Sequence, residues 1–293
     1  MKAGEARRKL HTLLAGKRCE LLASVFDPIS SRIADALGYE AALMGGSIAS
    51  HVVLGAPDLI VLTLTELAEQ VHRCTRVSSV PIVVDGDHGY GNALNAMRTI
   101  EELDFAGAAA VMIEDTLLPR PFGPAEAPQL IAMDEAVGKM KAALKARGDS
   151  DMLVFGRTGA ASIATIDEAI ARFRAFESIG VDGLFLPSIK TREELDRIAT
   201  AVRVPLIVGG VAEPVADADY LASRGVRLWS SGHQVFAVAV NALYEAMKSV
   251  REGTYPSRLP GIAPKAMLDE VTASTDYVEW TQAYMGGQQP PKA

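Results

Sequence analysis

The sequence predicts an α/β protein folded as a single closed (β/α)8 barrel of the TIM type, and three observations carry that reading. Eight short apolar runs recur along the chain, each followed by a stretch with helical periodicity. The runs are continuously apolar rather than alternating, as in parallel strands covered by helices on both faces. No linker rich in proline, glycine or serine divides the 293 residues, so one domain over 1–285 holds all eight units. An open doubly wound sheet shares this periodicity. The count of eight favours closure.

The expected strands are "LLASVF" (21–26), "AALMGG" (41–46), "VPIVVD" (80–85), "AAVMIE" (109–114), "DMLVFG" (151–156), "VDGLFL" (181–186), "VPLIVG" (204–209) and "VRLW" (226–229). Ahead of them, Leu10, Leu13 and Leu14 fall at helical spacing in a basic segment, which reads as a helix leading into the domain. Between the third and fourth runs, Leu94, Met97, Ile100 and Leu103 predict a buried helical stripe. Asn92 is the expected N-cap of that helix and Gly107 its stop. A helical extension follows the eighth run, and the tail 286–293, "GGQQPPKA", is expected to be disordered.

Composition narrows the function classes. A formal net charge of −7 argues against a nucleic-acid partner, which calls for a basic face. No run reaches the roughly 18–20 apolar residues of a membrane span. The N-terminal segment lacks the apolar core and small-residue cleavage pattern of a signal peptide. Cys19 and Cys74 are the two cysteines, too few for a disulfide framework or a cysteine-rich zinc site. The expectation is a cytoplasmic protein.

Chemistry concentrates where strands end, which in a barrel is the C-terminal mouth. In "VVDGDHGYGN" (83–92), Asp85 closes the third run and Asp87 follows two residues later. On an extended backbone both would point to one side. Glu114 closes the fourth run, and Asp58 in "GAPD" reaches the mouth from a loop. Carboxylates this close repel and resist desolvation, so something must compensate them. With no cysteine or clustered histidine among them, these donors suit a hard divalent cation, Mg2+ or alternatively Mn2+. Taken singly, each acid also reads as a helix cap or a surface ion-pair partner.

Arg157, in "FGRTGA" after the fifth run, suits bidentate capture of a substrate carboxylate or an ion pair with the acids. His233, in "WSSGHQVF", stands where the eighth strand gives way to helix; packing and substrate contact are its two readings. In "GGS" (45–47), the N–H groups of Gly46 and Ser47 with the Ser47 hydroxyl suit an anionic oxygen, or simply form a tight turn. His88 reads as a structural hydrogen-bonder, since hard cations prefer oxygen.

Together, "GGS", "GAPD", "VDGDHGYGN", "IEDTLLP" and "GRTGA" resemble the isocitrate lyase/phosphoenolpyruvate mutase superfamily over about residues 20–250. "ASVFDP", "DHGYGNALN", "EDTLLP" and Gly232-His233 are similar to its oxaloacetate decarboxylases. The resemblance implies a Mg2+-dependent barrel whose last helix is exchanged between protomers of a homodimer or homotetramer. It implies that Asp85 binds the metal directly, Asp87 and Glu114 act through water, and Asp58 supports them. Ser47, Arg157 and His233 fall where the decarboxylases contact substrate. The carbon–carbon lyases of the superfamily carry a Lys-x-Cys-Gly loop after the fourth strand; here that region reads "LLPRPFG" (117–123). Their Arg-Thr-Asp becomes Arg157-Thr158-Gly159, and their Pro-Glu after the sixth strand becomes Pro187-Ser188. The segment "VGGVAEP" (208–214) departs from the decarboxylase pattern.

The expected activity is therefore a lyase reaction, decarboxylation of a 2-keto dicarboxylate, oxaloacetate, to pyruvate and CO2. Two alternatives stand beside it. One is a lyase acting on a substituted malate or citrate, as 2-methylisocitrate lyases do; the other is a non-catalytic barrel that binds dicarboxylates.

Overall fold

The computed structural model describes residues 2–123 and 127–286. Nine short strands form one parallel sheet: β1 (Glu20–Leu21), β2 (Ala23–Ser24), β3 (Ala42–Met44), β4 (Ile82–Asp85), β5 (Ala110–Glu114), β6 (Leu153–Arg157), β7 (Gly183–Pro187), β8 (Leu206–Gly209) and β9 (Val226–Ser230). Every expected run is present. The first is divided in two at Leu22: β1 pairs with β9, and β2 pairs with β3. One passage of chain thus bonds both the last strand and the second, with the Leu22 amide donating to the Trp229 carbonyl (2.8 Å) and that of Ala23 to Ala41 (3.1 Å). That dual pairing brings the two ends of the sheet together, so the molecule is a (β/α)8 barrel.

Alternation along the strands sorts the core into two shells. Ala42, Met44, Ile82, Val84, Val111, Ile113, Val154, Leu184 and Leu206 face the surrounding helices. Leu43, Val83, Met112, Phe155, Phe185, Ile207 and Leu228 fill the barrel interior. The next inward position on each strand lies two residues further on, and there the apolar filling stops. Those positions are Gly45, Asp85, Glu114, Arg157, Pro187, Gly209 and Ser230. Adjacent-strand register sets Glu114 directly against Arg157.

At the opposite end, the helix Lys2–Ala15 does more than lead into the domain. Leu10 and Leu14 join the interior cluster and close the barrel floor. Arg7 anchors this helix, donating to the Ala108 carbonyl (3.0 Å) and pairing with Asp104 (2.9 Å).

Helix starts follow their capping chemistry. Asp27, Thr63, Asn92, Thr165, Thr191 and Asp217 each accept an amide hydrogen bond from the first turn they precede. Asn92 and Gly107 bound the helix Ala93–Phe105 as expected, Gly107 adopting φ +90°. The buried stripe there differs from the expected one. Ala96, Thr99, Ile100 and Leu103 are buried, while Leu94 in the first turn stands in solvent at 72% exposure. Thr99 is drawn inward because its hydroxyl bonds the Gly89 carbonyl (3.1 Å).

The helix Gln234–Arg251, which follows the last strand, buries none of its residues. At its start, Phe236 packs edge-on to Phe26 and stacks on His51. The helices Lys265–Val271 and Ser274–Met285 complete the extension, the former beside the helix Pro28–Ala36. Residues 287–293, most of the tail expected to be disordered, lie outside the described residues. Among the described residues no helix is long and apolar enough to cross a membrane.

Candidate active site

A cavity of about 610 Å3 opens at the C-terminal mouth of the barrel. Its wall brings together Ser47, Asp58, Asp85, Asp87, Glu114, Arg157 and His233. Gly46 is the exception among the expected site residues. It lies beneath the Asp87 carboxylate, where a Cβ would come within 2.5 Å of Oδ1; only glycine allows the acid to settle there. Gly45 and Ser47 on either side of it line the cavity.

Asp87 reaches the mouth by a different route from the extended one its spacing suggests. Its φ is +47°, a left-handed conformation uncommon for a residue with a Cβ. Three contacts around it hold the turn. The Asp87 amide donates to Asp85 Oδ1 (3.1 Å), its carbonyl accepts from the Glu114 amide (2.8 Å), and the Gly86 amide donates to the Met112 carbonyl (2.9 Å). The result places two carboxylates side by side on one rim.

Arg157 takes the ion-pair reading. One guanidinium nitrogen donates to both Asp85 oxygens (2.6 and 2.8 Å) and another lies 3.1 Å from Glu114 Oε2. The Phe185 ring sits 5.7 Å beneath the guanidinium carbon. Nε has no hydrogen-bond partner among the described residues. Burial opposes the Arg157 charge, yet Asp85, Glu114 and Asp87 outweigh it and hold the group more basic than usual.

One cation does not balance four carboxylates. Burial, reinforced by the Asp85 charge, pushes the Asp87 carboxyl well above the ordinary range. Glu114 is raised chiefly by burial, with Arg157 opposing the rise. Partial burial and Asp85 raise Asp58 as well. These are the marks of negative charge short of a counter-charge. Among the described residues, no group of three or more His, Cys, Asp or Glu side chains is arranged to hold a metal ion on its own.

His233 caps the opposite wall. Its Nδ1 is 2.7 Å from Ser24 Oγ at the end of β2, and Nε2 points toward Gly45 on the cavity wall. Burial holds the imidazole below its ordinary pKa, with Asp85 acting in the other direction. His88, by contrast, is buried away from this cavity, its pKa pushed down to about 4 by burial and by Lys139. The hydrogen-bonding role expected of it is not met at Nδ1, which has no partner among the described residues.

Several residues in or beside the cavity escaped the sequence reading. Ser24 belongs to an apolar run, and nothing in its spacing marks it as the partner of a histidine 209 positions away. Ser230 was open to reading, since it stands two residues beyond the inward Leu228. Arg120, from the loop after β5, lines both this cavity and a second of about 420 Å3 beside it. Among the described residues, Arg120 has no carboxylate at ion-pair distance, and the signal for it was a cation in the loop that follows Glu114.

Comparison with known proteins agrees with this arrangement. The phosphoenolpyruvate phosphomutase family model matches residues 10–251, which include every strand and every cavity residue named above. An oxaloacetate decarboxylase of Paraburkholderia xenovorans (strain LB400) is 59% identical over 281 residues, covering 96% of this chain and 94% of that one. Another, from Rhodopseudomonas palustris (strain BisB18), is 51% identical and covers 91% of this chain and 92% of its own. The crystal structure of a 2,3-dimethylmalate lyase superposes with a TM-score of 0.85 at 28% identity, covering 95% of each chain. The barrel, its acid-lined mouth and these near full-length likenesses lead to one assignment: the chain belongs to the oxaloacetate decarboxylase family of the phosphoenolpyruvate mutase/isocitrate lyase superfamily.

Proposed function

We propose that this enzyme decarboxylates oxaloacetate to pyruvate and CO2 with the help of a divalent cation, Mg2+ or Mn2+. The observation that carries the reading is the meeting of four carboxylates, Arg157 and the free Nε2 face of His233 in one cavity. The donor set fits a hard cation: all four acids offer oxygen, and Asp58, Asp87 and Glu114 are raised by burial and by their neighbour Asp85. Mg2+ keeps several of its waters, so a site with few direct ligands suits it. Asp85 would hold it directly, Asp87 and Glu114 through water, with Asp58 in support. When bound, the cation supplies an electrophile for the negative charge that develops in the transition state.

The chain's own residues do the rest. Ser47 and the N-terminal N–H groups of the helix Gly46–Leu54 receive the substrate's carboxylate near the cavity wall. Arg157 orients Asp85 and Glu114 and adds a fixed positive charge beside the reacting anion. The bond between C3 and C4 of the keto acid breaks, CO2 leaves, and its electron pair forms the enolate of pyruvate. A proton then returns to C3. His233 Nε2 is placed to position the leaving carboxylate or to deliver that proton, while Ser24 fixes the ring through Nδ1. No covalent nucleophile is required. The two thiols are buried, Cys19 raised to about 12 and Cys74 to about 11 chiefly by burial, so neither supplies the acid that the carbon–carbon lyases take from their loop.

The working form is a homodimer or homotetramer built by exchange of the helix Gln234–Arg251. Support comes from that helix itself: Val235, Val238, Leu243, Tyr244 and Met247 are all exposed, where a barrel's eighth helix covers the wall. A second copy of the chain offers the matching uncovered wall. Light scattering on the purified chain tests this, and a monomer at micromolar concentration refutes it. Two reduced, buried thiols are in keeping with a cytoplasmic setting.

The deciding experiment is product analysis. EDTA-treated protein is given oxaloacetate with and without Mg2+, and pyruvate and CO2 are counted above the protein-free rate. Equimolar pyruvate and CO2, dependent on added cation, is the expected result. Faster cleavage of 2-methylisocitrate or 2,3-dimethylmalate than of oxaloacetate would overturn it.

A further inference from the structure

Lys139 is the one buried lysine among the described residues, 4% exposed on the helix Met133–Arg147. Its ammonium donates to the His88 carbonyl (2.9 Å), and among the described residues no carboxylate lies at ion-pair distance from it. A buried ammonium left without an acid is costly, because one carbonyl satisfies only one of its three N–H groups. A neutral apolar residue would serve helix packing better. The place where the charge is spent is the turn that carries Asp87.

That turn is unusual in its backbone. Asp87, Gly89, Tyr90 and Gly91 all have positive φ, of +47°, +76°, +57° and +148°. Such a run persists only when its surroundings hold it. The Asp87 carbonyl is held from β5 by the Glu114 amide and the Gly89 carbonyl by Thr99. The carbonyl between them, that of His88, is held by Lys139 alone among the described residues. Remove that donor and the middle of the turn loses its tie to the barrel wall.

We propose that Lys139 is a positioning residue for the cation site: by gripping the His88 carbonyl it fixes Asp87 in its left-handed turn. The inference rests on the cation reading given above, and its consequence is specific. Lys139 does not line the cavity, yet it governs how well the acids take up an ion. The acids that face its charge are Glu135 of its own helix and, more weakly, Asp115 and Glu114 at the end of β5.

The test is Mn2+ binding, read from the free-ion electron paramagnetic resonance signal, on the full-length wild type, K139M and K139Q. Thermal unfolding without cation and the kcat and KM for oxaloacetate accompany it. The expected K139M result is a ten-fold or greater loss of Mn2+ affinity, with kcat reduced and KM little changed. Its melting temperature without cation should equal or exceed that of the wild type, since a thioether packs where an unpaired ammonium stood. A purely structural lysine gives the reverse pattern, lower stability with unchanged affinity, and that result overturns the proposal. Loss of folding in both K139M and K139Q assigns the residue to stability and also overturns it. Wild-type protein that takes up no Mn2+ fails the cation reading itself, a failure visible before either variant is made.

Discussion

The two ends of the barrel are built from the same strands, yet they differ in almost every physical respect. At the floor, Leu10 and Leu14 seal an interior of Leu22, Val83, Leu153 and their neighbours, and the nearby cation Arg7 is fully engaged. At the mouth, Asp85 and Glu114 share a single guanidinium, and Asp87 lines the same cavity without pairing to it. Asp85 stands two positions beyond Val83, about 6.6 Å of strand. Over that distance the barrel passes from a dry core to a charged cavity. The lesson is a division of labour: the floor stabilises, and the mouth accepts destabilising charge because a ligand can offset it.

The harshest test of the comparison removes a charge from the mouth. Asp85→Ala should abolish cation-dependent turnover while the protein still folds, because no core contact is lost. Asp87→Ala and Glu114→Ala should weaken cation binding less, as groups acting through water do, by about 10–100-fold. Circular dichroism and steady-state kinetics on the three variants give the ranking. Full activity in Asp85→Ala would erase the distinction between the two ends.

The converse experiment cuts the floor. Leu10 is wholly buried, and Leu10→Ala should cost about 2–5 kcal/mol of stability through lost packing and the cavity left behind. Urea unfolding measures that cost. The kcat of the folded fraction should remain that of the wild type, since the mouth lies at the other end of every strand. A fall in kcat matching the fall in stability would mean the ends are coupled.

How far this contrast could be read in advance depends on period. The two-residue alternation along a strand is a local property, so Asp85, Glu114 and Arg157 were visible as strand-end residues and the structure places all three on the mouth. The floor was half visible: the spacing of Leu10 and Leu14 gave a helix, but not that it plugs the barrel. Contacts set by closure were out of reach. Ser24 meets His233 because the first strand bonds both the second and the last, a fact of topology that no window of sequence contains. The left-handed Asp87 was hidden for a related reason. Its backbone is dictated by Gly46 and by Glu114, which lie far from it along the chain. Leu94 was misplaced because periodicity fixes a stripe, while the inward pull on Thr99 decides where that stripe begins.

Within the mouth itself, the acid wall and the His233 wall can be set against each other. His233→Ala should lower kcat/KM ten-fold or more, about 1.4 kcal/mol of transition-state binding, and leave cation affinity nearly unchanged. His233→Gln keeps a donor without titrating. Recovery of activity in that variant would assign the histidine to positioning; loss in both is the result that proton transfer requires. Ser24→Ala should reproduce part of the His233→Ala defect by freeing the ring. Normal kinetic constants in a folded His233→Ala protein would reduce the histidine to packing and remove its wall from the chemistry.

The smallest expected effect belongs to Arg120, which sharpens the contrast at the rim. Arg157 is held by two acids, so its charge is largely spent inside the site. Arg120 lines the same cavity with no acid at ion-pair distance among the described residues, so its charge remains available to an incoming dianion. An exposed cation of this kind acts at long range on encounter and is screened by salt over about 8–10 Å. It contributes little that differs between ground state and transition state, and uniform binding of that sort appears in KM alone. Arg120→Ala should therefore raise KM for oxaloacetate a few-fold with kcat unchanged. The difference from the wild type should shrink as ionic strength rises. A monocarboxylate 2-keto acid, used as a competitive inhibitor, should lose less affinity than a dicarboxylate one. A fall in kcat instead would move Arg120 from the rim to the reacting centre, and the line between capture and chemistry would have to be redrawn inside the cavity.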